Sequence, residues 1–201
     1  MSERSGTGGG EFADFVSSLL TMITDPEQFG KSFFEKEDDK IATLIKSGVY
    51  FSLAATIMIA VSANSSYSSL KDFDLKQHFI SLLLFGTPAA LLLMLLLRIS
   101  GNSRRFLDCA SFVLLFFALN CGGAALTFSI DGLEQGDRGF VKALYMIVSC
   151  YIALYISPKI FSGMTQLGYL KSAVFVMVGL VGGTIITSLS VGVIFPTLYY
   201  D

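Results

Sequence analysis

Apolar runs separated by short polar clusters organise this chain, and the clearest is Ser172 to Tyr200, 29 positions without a charged residue. Four earlier runs have the same character, at about 41–63, 79–97, 109–130 and 140–158. At ~1.5 Å rise per residue a helix of ~20 residues crosses a hydrocarbon core of ~30 Å. The pattern therefore predicts an all-α polytopic membrane protein with five transmembrane helices, the last at about 172–197. Ahead of them the period changes: Phe12, Phe15, Val16, Leu19, Leu20 and Ile23 fall on one helical stripe, with Glu11, Asp14, Ser17 and Ser18 between. That stripe is too short and too acidic to span, and it lacks the basic face of a helix that binds anionic lipid. Thr24-Asp25-Pro26-Glu27 then reads as the start of a second short helix. Thr24 or Asp25 would cap it, Pro26 would fit its first turn and Glu27 could close a capping box with Thr24. The expected organisation is a flexible N-terminus at 1–10, amphipathic cytoplasmic or interfacial helices at 11–40, and a five-span transmembrane domain at 41–201. Phe12, Phe15, Leu19, Phe29 and Phe33 are the expected interfacial anchors.

Within the runs a few positions stand out. Gly179, Gly183 and Thr187 recur at four-residue spacing, and Thr184, Ser188 and Gly192 follow on a neighbouring line. Small side chains let helix backbones approach closely where lipid offers no hydrophobic drive, so both lines are expected to be packing or partner surfaces. Gly86-Thr87-Pro88 interrupts the second run, where proline removes one backbone donor and should kink the helix. Asn120, in Asn120-Cys121-Gly122-Gly123, is the most polar side chain expected at bilayer depth. It should find a partner on another helix or a water, and together with Pro88 it marks a possible intramembrane polar site. Pro158 and Lys159 are expected to end the fourth run.

Composition narrows the function classes. The chain is 53% hydrophobic and 15% charged, with a net charge of −2 and a mean hydropathy of +0.65. No basic tract would track phosphates, so nucleic acid is not an expected partner. Membrane lipids, other membrane proteins or further copies of the chain are. Cys109, Cys121 and Cys150 fall in apolar stretches and read as small packing residues. The single histidine, His78, sits at a run edge with only Asp72 and Asp74 near it in sequence. Paired carboxylates, a nucleophile with its base, or a metal-ligand set are not apparent, so neither an enzyme nor a cofactor or metal site is expected. With five spans, ten of the 14 lysines and arginines fall on the N-terminal side. That asymmetry predicts a cytoplasmic N-terminus and an external C-terminus.

The order of parts resembles the Yip family, five-span membrane proteins named for interacting with Ypt/Rab GTPases and also widespread in bacteria. The residues that carry the resemblance are Thr24, Asp25, Pro26 and Phe29 after an amphipathic lead-in, a short basic loop with Gly101, Ser103 and Phe106, and the Gly- and Ser-rich last span. The sequence departs from the family at Ala110-Ser111-Phe112-Val113, where a proline is common. Small-residue helix faces, interfacial aromatics and the lack of charge deep in any span predict a non-enzymatic scaffold or assembly component that binds partner proteins, and the resemblance implies a bacterial member, in an inner membrane. The alternative is a channel, transporter or lipid-translocating subunit with a path near Asn120 and Pro88.

Overall fold

The computed structural model describes residues 17–35, 40–64, 75–102, 104–131 and 138–194, and the described residues are almost entirely helical. A short helix α1 at residues 17–24 runs into α2, Pro26–Glu35. The long helices follow: α3, Lys40–Asn64; α4, Leu75–Ile99; α5, Phe106–Asp131; α6, Arg138–Tyr151; and α8, Tyr169–Ile194. Between α6 and α8 the helix continues through a π turn, Ile152–Ile156, into α7, Ser157–Thr165.

Four segments are long and apolar enough to cross a membrane: Lys40–Val61, Phe106–Thr127, Ala143–Thr165 and Tyr169–Leu189. The protein is thus a helical membrane protein. Helix α4 is 25 residues long, with the shorter apolar stretch Leu84–Ile99 inside it. In the α5 segment 61% of residues are buried, against 22–33% in the other three, so α5 is the central helix. Phe112, Val113, Leu115, Ala118 and Leu119 of α5 form the core with Leu93 and Leu97 of α4, Ile152, Ile156 and Phe161 of the fourth segment, and Val176 of α8. The outward residues of α3, Ile41, Ile45, Val49, Leu53 and Ile57, repeat every four positions and are exposed, as a lipid-facing stripe should be.

The fourth segment corrects the sequence reading. Pro158 does not end it: the helix continues to Thr165, and Pro158 occupies its second position after the π turn. Proline lacks the N–H that would bond the carbonyl four residues earlier and its ring crowds that carbonyl. One widened turn relieves the crowding, with the Ser157 amide donating to the Ile152 carbonyl. The carbonyl four residues before Pro158, that of Leu154, accepts the Tyr169 hydroxyl of α8 at 2.6 Å.

Helix α4 solves the same problem with the same neighbour. It stays helical on both sides of Pro88. The carbonyl four residues before that proline belongs to Leu84, and it lies 2.9 Å from the Thr187 hydroxyl of α8. That hydroxyl is also 2.8 Å from the Gly183 carbonyl of its own helix, so its one proton is divided between two acceptors. Both proline-orphaned carbonyls are therefore met by α8 hydroxyls, where lipid could offer no donor.

Candidate functional site at the polar end of the bundle

The short helices and three turns meet at one end of the bundle. Asp25 ends α1 and caps α2, its Oδ1 accepting the Gln28 amide at 3.2 Å. Thr24 instead donates to the Leu20 carbonyl, so the expected Thr24–Glu27 capping box gives way to an Asp25 cap. Helix α2 lies against α7 backbone to backbone. A Cβ at Gly30 would strike the Ile160 carbonyl, and one at Gly163 would strike the Glu27 carbonyl and the Lys31 amide. With no side chain at either crossing point, Phe29 and Phe34 sink fully into the core, 1% and 0% exposed. Phe29 is thus no interfacial anchor, contrary to expectation. Phe33 is half-buried, stacked on Phe29 at 5.1 Å and edge-on to Tyr50 at 6.0 Å, and Leu19 packs on the same core. Phe12 and Phe15 lie outside the described residues.

Polar ties fasten the rest of this end. Helix α4 closes with Gly101 at φ +81°, where the Gly101 amide donates to the Arg98 carbonyl and the Asn102 amide to the Leu97 carbonyl. That paired pattern needs a left-handed residue, which glycine supplies without steric cost. It directs the Asn102 side chain across to the Thr165 carbonyl at 2.8 Å. Asp108, 2% exposed, accepts the Arg105 amide at 3.2 Å and faces the Lys40 ammonium at 3.5 Å. Lys40 also donates to the Phe34 carbonyl at 3.0 Å, so one lysine joins α2, α3 and α5. Gln166, left-handed at φ 58°, donates to the Glu35 carboxylate at 2.8 Å.

Between α2 and the α7–α8 turn opens a cleft of about 610 Å³. Asp25, Glu27, Gln28, Lys31, Gln166 and Tyr169 are among its walls, so it carries both signs of charge. Beside it, on the outer face of the fourth segment, Tyr151 and Tyr155 stack at 5.1 Å and the Lys159 ammonium lies 4.9 Å over the Tyr155 ring.

The expected packing lines divide. Gly179 and Gly183 are buried against Leu93 and Ala89 of α4, and Thr187 reaches Leu84, so this line is an internal seam. Thr184 and Ser188 are exposed, Thr184 donating to the Leu180 carbonyl, and Gly192 lies outside the residues whose side chains are described. Asn120 forms its bond locally. Half-buried, it donates to the Phe116 carbonyl of its own helix at 2.8 Å rather than to a partner helix. Asn120 therefore bonds within α5, while the carbonyl orphaned by Pro88 is met from α8. Cys109 and Cys121 are buried packing residues, whereas Cys150 is exposed. The side chain of His78 is outside the described residues.

The sequence reading missed Asp108, Asn102, Gln166 and the bonding role of Tyr169. Arg105-x-x-Asp108 has the spacing of a helix start and could have been found. Gln166 gave no signal, because only the fold makes its conformation left-handed.

The fold and this fastened end define a helical membrane protein with a built polar face. No family model matches the chain, and no solved structure matches it. The chain is similar to the MFS-type transporter patC of Penicillium expansum, 27% identical over 184 residues, covering 81% of this chain and 32% of that protein. It thus spans about a third of that relative's length.

Proposed function

We propose that the chain is a five-span membrane scaffold of Yip-like type, which binds partner proteins through its polar end and its exposed span faces. In this reading α4 is the fifth membrane-crossing helix, and the polar end faces the cytoplasm of a bacterial cell. The observation that carries it is the seating of α1 and α2. A lead-in joined to the bundle by glycine-to-backbone contact and by Lys40 is a fixed platform, and it holds Leu20 and Ile23 outward, 59% and 54% exposed. Preorganised apolar residues lower the entropy lost on docking. The outward line of Thr184 and Ser188 supplies a second contact face within the membrane. The test is the mass of the gently solubilised native complex. A stoichiometric protein partner is expected with the native chain and is lost with Leu20→Arg plus Ile23→Arg, while the melting temperature stays unchanged. A lone chain of native mass refutes the reading.

A second reading, a translocating subunit, draws on the likeness to a transporter. Solute flux through vesicles containing the purified chain alone would favour it over the scaffold.

A further inference from the structure

We propose that the tyrosine ladder and the adjoining cleft form a binding site for one phospholipid bearing a phosphate and a primary ammonium, an aminoethyl headgroup. The inference starts from the order of chemistry along one face. Tyr151, Tyr155 and Lys159 are spaced by four residues and so stand in line along the helix. The two rings stack at 5.1 Å and 17°, yet are 51% and 38% exposed on a segment only 33% buried. They form a rigid apolar strip facing lipid.

Lys159 follows the strip. It lies six residues before the helix end at Thr165, which sets it about 9 Å inside the polar end, at the depth where headgroups meet acyl chains. Among the described residues the salt bridge within 4.0 Å is Lys40–Asp108, so no carboxylate closes on Lys159. Asp25 and Glu27 stand at the start of α2, and the Glu27 backbone meets α7 at Gly163, one turn beyond Lys159. Both line the cleft, and so does Tyr169, whose hydroxyl is anchored on Leu154 beside the ladder. One tyrosine thus borders both halves.

From the membrane outward the face presents an apolar strip, then a cation, then a cleft with two carboxylates, Asp25 and Glu27, and one ammonium, Lys31. A phospholipid with an aminoethyl headgroup presents the complement in the same order: acyl chain, phosphate, ammonium. The cleft, at about 610 Å³, is within the ~300–1,000 Å³ usual for small-molecule sites. A primary ammonium offers carboxylates three N–H donors. A quaternary one offers none and is recognised by aromatic faces, which here lie at the acyl-chain end. The site therefore selects phosphatidylethanolamine over phosphatidylcholine by the carboxylates, and over a purely anionic lipid because two carboxylates outnumber the one cleft lysine, Lys31.

The experiment titrates delipidated full-length protein in detergent with phosphatidylethanolamine, phosphatidylcholine or phosphatidylglycerol of identical chains, counting bound lipid by native mass spectrometry. Phosphatidylethanolamine is expected to bind with at least about fivefold preference, a discrimination of the order that one charge-assisted contact supplies. Lys159→Gln should weaken every phospholipid, whereas Glu27→Gln should erase the preference for phosphatidylethanolamine over phosphatidylcholine. Melting curves accompany each variant, and Tyr151→Leu, which shortens the strip away from Lys159, provides a further weakening. Equal binding of the three lipids, or undiminished binding by Lys159→Gln, overturns the proposal. So does equal competition by soluble phosphoethanolamine, because that would assign the site to a free headgroup.

Discussion

The Thr187 bond to the Leu84 carbonyl makes a prediction in which one substitution should cancel the effect of another. Thr187→Val keeps the shape of the side chain and removes its proton. The Leu84 carbonyl, already without an amide partner because of Pro88, then loses its donor as well. An unsatisfied buried acceptor costs about 1–3 kcal/mol in general. Interhelical bonds in membranes average only about 0.6 kcal/mol and reach about 1.7. The proton is also divided with Gly183, and Thr187 is only half-buried, so the expected loss is about 1 kcal/mol. Pro88→Ala restores a backbone amide to the Leu84 carbonyl. In that background Thr187→Val should cost only about 0.3 kcal/mol, leaving a coupling of about 0.7. The measurement is a double-mutant cycle by reversible denaturant unfolding in bicelles. Equal losses in the two backgrounds would refute the argument, since the hydroxyl would then not be acting on the orphaned carbonyl.

Four further outcomes follow from the same geometry. Tyr169→Phe should lower stability by about 1 kcal/mol in the same unfolding assay, because the Leu154 carbonyl is left without its hydroxyl. Gly30→Ala should destabilise by at least about 2 kcal/mol, because the methyl group meets backbone that cannot move aside. Gly48→Ala, with nothing within 4 Å of the added atom, should be neutral or stabilising by up to about 1 kcal/mol, and equal melting shifts for the two would sink the contact argument. Lys40→Met should cost about 1–3 kcal/mol, read by unfolding and by faster proteolysis within 17–35, because Asp108 loses its counter-charge and the Phe34 carbonyl its donor.

The long helices were legible because a membrane imposes one rule on sequence, a long apolar run, and 172–197 obeys it plainly, as does 41–63 apart from Lys46 near its start. The expected first helix and the observed Lys40–Asn64 differ by one residue at each end. The fourth helix was legible at its start but not at its end. Pro158 carries the signal of a stop, and what overrides it is a widened turn together with a tyrosine 11 positions further on. No local pattern encodes that pairing. The lead-in was harder for a different reason: Phe29 and Phe34 look the same in sequence whether they face lipid or protein. Only the absence of side chains at Gly30 and Gly163, on segments 133 positions apart, makes protein the answer. Asp108 escaped because its partner Lys40 belongs to another helix, and each charge alone reads as the edge of a span.

These particulars converge on α8. Gly179 and Gly183 bring its backbone close to α4, and that closeness lets a side chain as short as threonine reach the Leu84 carbonyl. At its other end Tyr169, with a longer reach, crosses to Leu154. The two prolines it supports lie on different helices, so each would separately leave an exposed acceptor in a medium that supplies no donors. A chain that places a proline within such a run needs a hydroxyl nearby on a neighbouring helix. Here one helix provides both, at opposite ends. The consequence is an order of dependence: α4 and the fourth helix tolerate their prolines only while α8 is seated. The small-residue seam of α8 therefore acts on architecture, seating the helix against α4 so that both hydroxyls reach their carbonyls.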